Sequence, residues 1–192
     1  DVFMKNLQYA WKDFFEQEET KSVDTLGEEA FQYGEYQKAI DYFEEYAEAC
    51  KMNKNEKGYR YAVRRLSAAY AYVSNYKRAV SYALQSLQMH LDAKDTIGIS
   101  ASYISLGMVH LSINEYETAR KDLQKALDFS SGRDAEGERD AVYFLGNVSL
   151  SVGEYDDAVN YFMKARELDR KADNEEKLID DCTSLSFTYF TG

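Results

Sequence analysis

The sequence predicts an all-α fold, a solenoid of antiparallel helix pairs, and three observations carry that prediction. A short motif recurs: Gly34-Glu-Tyr-Gln-Lys-Ala39, Ser74-Asn-Tyr-Lys-Arg-Ala79, Asn114-Glu-Tyr-Glu-Thr-Ala119 and Gly153-Glu-Tyr-Asp-Asp-Ala158. Its tyrosines, Tyr36, Tyr76, Tyr116 and Tyr155, stand 40, 40 and 39 residues apart. Between the copies the apolar residues keep a helical period, and the 192-residue chain contains no proline, which suits long helices because an interior proline costs about 3 kcal/mol. Chemistry needs one constellation, so a motif present in four copies is read as architecture.

The elements follow in order. Residues 1–19 fit the second helix of a preceding unit, with Phe3 one interval before Phe43 and Leu7 and Ala10 on the same face. Full units are expected at 20–59, 60–99, 100–138 and 139–178, each a helix A, a tight turn and a helix B. Helix A carries Leu26-Gly27, Leu66-Ser67, Leu106-Gly107 or Leu145-Gly146, nine or ten residues before the tyrosine. Helix B carries Phe43, Ala83, Leu123 or Phe162, seven residues after it. In the last unit Tyr155, Ala158, Val159, Phe162, Ala165 and Leu168 fall on one helical face. Residues 179–192 fit a further helix A, with Leu185 and Ser186 in the Leu-Gly positions.

Each recurrent residue has a physical task. Gly34 and Gly153 supply the positive φ that ends helix A, and Asn75 and Asn114 are expected to do the same in the middle units. The tyrosine opens helix B, and Ala39, Ala79, Ala119 and Ala158 let the two helices approach. Asp95, Asp134 and Asp173 are expected to cap the next helix A. Phe14, Phe15, Phe187, Tyr189 and Phe190 crowd the ends, where a solenoid needs polar caps. The chain is therefore expected to be a piece of a longer array or to stack its ends on another copy.

The pattern of Leu-Gly, Gly-x-Tyr, Ala and Phe resembles the tetratricopeptide repeat over nearly the whole chain. The interval exceeds the usual length of about 34 residues. The surplus of about six residues, one and a half helical turns, is expected to lengthen both helices. Long units with an x-x-Asp corner look like the Pins/LGN subgroup, of which Leu145-Gly146-Asn147 is a hallmark, and Tonsoku-like proteins carry similar units. The resemblance implies a right-handed superhelix whose concave side is lined by helix A. It implies as groove residues Tyr61, Arg64, Arg65 and Tyr72 in the second unit, Ile104, Met108 and Leu111 in the third, and Asp140, Tyr143, Asn147 and Leu150 in the fourth. Asp24 and Glu28 fall on the same side in the first.

Five of these residues have a plainer alternative. Met108 and Ile104 either offer adaptable apolar contact or pack on a neighbouring helix. Asn147 either pairs with a peptide backbone or bridges within the solenoid. Arg64 and Arg65 either grip a carboxylate or pair with nearby acids. The Lys/Asn/Lys/Arg carboxylate clamp of chaperone-type relatives is not reproduced, because its lysine positions hold Asp24, Ile104 and Tyr143.

Composition narrows the function. The formal charge of −11 opposes nonspecific nucleic-acid binding, which rests on neutralising phosphates, and suits a basic partner. Two isolated cysteines, Cys50 and Cys182, are no disulfide framework and suit an intracellular, cytoplasmic setting. The two histidines, His90 and His110, show no metal-ligand spacing, and His110 is expected to pack in the core. No triad or glycine-rich phosphate loop stands out, so no cofactor, metal or catalytic residue is expected. The expectation is a non-enzymatic adaptor or scaffold that binds a peptide segment of another protein, extended or helical. The alternative is a peptide-responsive regulator like bacterial pheromone receptors built from similar repeats.

Overall fold

The computed structural model describes residues 21–172, 177 and 183–188. All regular structure among them is helical. Contacts divide the chain into one compact unit of residues 1–62 and a second of residues 63–192. The first unit holds α1 (Val23–Gln32), α2 (Tyr36–Met52) and the first turns of α3 (Glu56–Tyr72). The second holds the rest of α3, then α4 (Tyr76–Asp92), α5 (Thr96–Ser112), α6 (Tyr116–Ser130), α7 (Ala135–Ser151) and α8 (Tyr155–Lys171). Residues 183–188 are helical as well. The expected preceding helix of residues 1–19, with Phe3, Phe14 and Phe15, lies outside the described residues. So do Asp173, Cys182, Tyr189 and Phe190.

Each motif tyrosine is the first residue of a helix: α2, α4, α6 and α8 begin at Tyr36, Tyr76, Tyr116 and Tyr155. The turns before them close in one way. Gly34 (φ 74°), Ser74 (φ 59°), Asn114 (φ 62°) and Gly153 (φ 81°) take the left-handed conformation. The next N–H then reaches back to the carbonyl five residues earlier, as in Glu35 to Ala30, Asn75 to Tyr70, Glu115 to His110 and Glu154 to Ser149. The second turn corrects the expectation for Asn75. The bond pattern places the left-handed residue one position earlier, on Ser74, and Asn75 caps α4 by accepting from the Arg78 N–H.

The corners that lead into α3 and α5 also carry a left-handed residue, Lys54 and Lys94 (both φ 54°). Asp95 caps α5 as expected, its Oδ1 accepting from the Gly98 N–H at 3.1 Å. Asn55 does the same for Gly58 at 3.0 Å. Asp134 makes no capping hydrogen bond. Instead Glu138 reaches back from α7 to accept the Gly132 N–H at 3.1 Å. At this corner α6 has 15 residues where α2, α4 and α8 have 17, and the link is one residue longer. The net deficit of one residue is the reason Tyr155 follows Tyr116 after 39 residues rather than 40.

Pairing is close where the small residues sit. Ala39, Ala79, Ala119 and Ala158 are fully buried. A side chain on Gly27, Gly107 or Gly146 would meet Phe43, Leu123 or Phe162 at 2.5–2.7 Å, so the bulky residue of helix B packs on bare backbone of helix A. Helix α5 is apolar on most sides and packs against α4, α6 and α7. Its core includes Ile99 and Leu106 with Ala83 and Leu87, while Ile104 packs with Ala126 and Ala141. Residues Leu185 and Thr188 are buried; Leu185 joins the cluster of Ala158 and Phe162. Phe187, by contrast, is exposed. Cys50 is a buried free thiol.

Candidate peptide-binding face

The first helices of successive pairs lie side by side: α5 packs directly on α7. Residues at matching positions on them therefore form rows across the second unit. One row is Met108 and Asn147, flanked by Leu111 and Leu150. All four are half-buried. Met108 rests on the Ile104, Ala126 and Ala141 cluster. Leu111 rests on the Leu123, Leu145 and Val148 cluster, and Leu150 on that of Phe162 and Leu185. Their inner atoms are held by the core, and their outer atoms form an apolar strip.

The polar groups beside this strip are largely satisfied within the helices. Ser105, Ser112 and Ser151 each donate to the carbonyl four residues back, those of Ala101, Met108 and Asn147, at 2.8–3.0 Å. Asn147 differs: its side-chain amide makes no hydrogen bond to another described residue. A half-buried amide with two donors and one acceptor, set among apolar neighbours, suits the alternating N–H and C=O of a peptide backbone.

The other expected groove residues divide. Tyr72, at the end of α3, is half-exposed, with side-chain interactions of its own. Arg64 and Arg65 are half-buried on α3, with side-chain interactions of their own. Ile104 is buried, 8% exposed, because Ala126 and Ala141 leave room for it to sink, and it offers little surface. Tyr61 lies in the first unit, where its hydroxyl donates to Glu28 and its ring meets Phe43 and Tyr46 edge-on. Tyr143 packs edge-on to Phe144 and tilted against Phe162, with its hydroxyl 3.3 Å from Ser184 Oγ. Asp140 accepts from Arg139 and from Lys177, each at 3.2 Å.

Two polar pairs escaped the sequence reading. His110 is largely buried, but its Nδ1 lies 2.8 Å from Asp122 Oδ2, so it bridges α5 and α6 as a polar link rather than as a packing aromatic. Arg139 and Asp169 form a buried ion pair, Nε to Oδ2 at 2.7 Å. A signal for the second existed: stepping back from Asp169 by the motif interval gives Ser130, His90 and Cys50, and all four positions are buried. Among the described residues no group of three His, Cys, Asp or Glu is placed to hold a metal ion, and no helix is long and apolar enough to cross a membrane.

Residues 100–132 and 140–171 match the tetratricopeptide repeat family model, so these two stretches are tetratricopeptide repeats. No curated protein sequence matches it. Among solved structures, a Rap protein complexed with Competence and Sporulation Factor aligns with a TM-score of 0.80 at 19% identity, over 87% of this chain and 47% of that one. Aspartyl phosphate phosphatase F from Bacillus subtilis aligns at 0.73 and 18% identity, over 88% and 45%. A putative kinesin light chain from Podosopora anserina with nearly identical TPR-like repeats aligns at 0.65 and 15%, over 88% and 84%. At these identities the likeness is one of fold. The chain spans about half the length of the first two proteins, 47% and 45%.

Proposed function

We propose that this chain is a protein-interaction scaffold that holds a peptide segment of a partner protein along the face formed by its A helices. The observation that supports this most is the apolar strip of Met108, Leu111 and Leu150 with the Asn147 amide in its middle. The strip gives adaptable apolar contact, and the amide gives register to a bound backbone. Tyr72 extends the strip, and Arg64, Arg65, Asp140 and Tyr143, with the little surface that Ile104 offers, complete the groove within the second unit. The charge of −11 suits a basic flank on the segment. Catalysis has no part in this reading, and neither does direct contact with nucleic acid, which the charge of −11 opposes.

The repeats are of the long, Pins/LGN-like or Tonsoku-like kind, with units at 20–59, 60–99, 100–138 and 139–178. The protein acts as an adaptor in the cytoplasm, away from membranes. The test is display selection of short random peptides on the chain, followed by Met108→Glu and Tyr143→Ala. Both variants should weaken the selected peptide while helical circular dichroism stays unchanged; unaltered affinity in both removes the groove.

One observation favours a second reading. The Rap protein that aligns over 87% of this chain is complexed with Competence and Sporulation Factor. In that reading the same face takes a free peptide, and the helix pairs change pitch around it on behalf of a longer protein. Small-angle scattering separates the two: a regulator contracts or expands on adding the selected peptide, and a scaffold keeps its radius.

A further inference from the structure

The exposed row of α4 departs from the repeat. Lys77, Ser81, Leu84, Gln88 and Leu91 follow one another at steps of four, three, four and three residues, so they share one stripe of the helix, about 21 Å long at 1.5 Å per residue. All five are exposed, Leu84 to 52% and Leu91 to 42%. At the two leucine positions the other B helices carry Glu44 and Lys51, Gln124 and Ser131, or Met163 and Arg170. Along the same row each of those helices has at least two acids, among them Glu44 and Glu48, Glu117 and Asp128, and Asp156 and Glu167. The α4 row has none. Ile97, the second residue of α5, is exposed too, where the motif interval gives Lys57 and Glu136.

In a chain of charge −11 the surroundings of this row are positive. Lys77 and Arg78 stand at its start. Lys94 stands at its end, where its N–H bonds the Leu91 carbonyl at 3.1 Å. Asp92 is the one exposed acid of α4 and the link after it, and it accepts from Gln88 at 2.8 Å. Asp95, half-buried, holds the Gly98 N–H and the His90 ring. Arg78 donates to the Tyr70 hydroxyl, while Lys77 and Lys94 form no ion pair with a described residue.

Apolar residues at steps of four and three are the seam along which a second helix packs. The backbone groups of α4 are already paired within the helix, so an extended strand finds no ladder there. Charge opposes a second copy of this chain. Parallel α4 helices would set Lys77 on Lys77 and Lys94 on Lys94; antiparallel ones would bring Lys94 over Ser81, about one turn from Lys77.

We propose that the exposed face of α4 is a second interaction surface, separate from the A-helix face, whose occupant is an acidic amphipathic helix of a partner protein. Apolar residues of that helix, spaced by one heptad, meet Leu84 and Leu91. Its carboxylates meet Lys77 and Arg78 at one end and Lys94 at the other. Two leucines and an isoleucine offer little area, so the contact draws on charge and weakens with salt.

The test pans a displayed library of helical peptides, about three heptads long, on the whole chain carrying Met108→Glu. That change disables the A-helix face and leaves α4 as it is. The enriched peptides should carry apolar residues at steps of four and three and a net negative charge. Their affinity should fall about tenfold or more in the double variant Leu84→Gln, Leu91→Gln, and should fall from low to physiological salt. Lys77→Glu with Lys94→Glu should turn the preference towards a peptide with lysines in place of its acids. All four positions are exposed, so the variants should keep the helical circular dichroism of the parent. No enrichment, enrichment of neutral or basic peptides, or unchanged affinity in the leucine double variant overturns the proposal. Two further results overturn it: a dimer in sedimentation that the leucine double variant dissociates assigns the face to a second copy, and binding to phosphatidylserine vesicles lost in that variant assigns it to a membrane. Each outcome holds whether or not the groove reading survives, because the selection excludes the A-helix face.

Discussion

Two helix pairs of the second unit solve one packing problem differently. In the α7–α8 pair Gly146 leaves bare backbone, and the fully buried Phe162 fills the space. In the α3–α4 pair the same two positions hold Ser67 and Ala83, also fully buried. There the Ser67 hydroxyl donates to the Ala79 carbonyl at 2.9 Å, and a methyl replaces the ring. Where the ring lies on bare backbone the two positions are coupled, because a side chain on Gly146 would meet Phe162: each tolerates change only if the other changes with it. The α5–α6 pair, with Gly107 against Leu123, follows the first solution.

The largest expected effect comes from breaking the first solution. Phe162→Ala should cost about 3–5 kcal/mol in denaturant unfolding, the usual cost of an emptied aromatic site. Gly146→Ser alone should cost about 1–3 kcal/mol by overpacking against the ring. Combined, they transplant the α3–α4 solution, and the double variant should be more stable than the sum of the singles by about 0.5–3 kcal/mol. Strict additivity would break the comparison.

A smaller effect tests the second solution. Ser67→Ala removes one buried hydrogen bond whose acceptor lies in α4, and should cost about 1 kcal/mol. A loss as large as that of Phe162→Ala would mean that the hydroxyl, rather than apolar packing, holds this pair.

The smallest concerns the corner between α6 and α7, where Glu138 ties down the link through the Gly132 N–H. The Gly132 N–H, followed by the Lys164 ammonium at 3.3 Å, holds the Glu138 carboxyl below the usual carboxylate range against the opposing effect of burial. A lowered folded pKa means that the carboxylate stabilises above its unfolded pKa of about 4.3 and stops doing so as pH falls through the folded value. Glu138→Gln should therefore be less stable than wild type near neutrality, by up to about 1 kcal/mol. The difference should shrink as the solution is acidified below the carboxylate range. A difference independent of pH would assign the effect to packing.

What the sequence discloses and what it hides follow the same line. Recurrent positions were legible: the tyrosines that open α2, α4, α6 and α8, the buried alanines, and the Gly-large pairs, since each repeats a local task. Single departures were not. Turn residue type pointed to Asn75, but hydrogen-bond register decides the left-handed site, and it falls on Ser74. Ile104 looked like surface because Arg64 and Tyr143 occupy its position in neighbouring units; the alanines facing it, Ala126 and Ala141, draw it into the core. Arg139 and Asp169 lie thirty residues apart with no periodic partner, so only three-dimensional contact joins them. The resemblance names a set of helix A positions, but which of them are exposed, as Tyr72 is and Ile104 is not, is decided by packing across helices.

The central claim is that a partner segment lies on the A helices. Amide hydrogen exchange of the whole chain, with and without the display-selected peptide, tests it most directly. The account predicts added protection in α5 and α7, centred on Met108 and Asn147, with α6 and α8 little changed. Protection confined to α6 and α8, or spread evenly over all the helices, would contradict it.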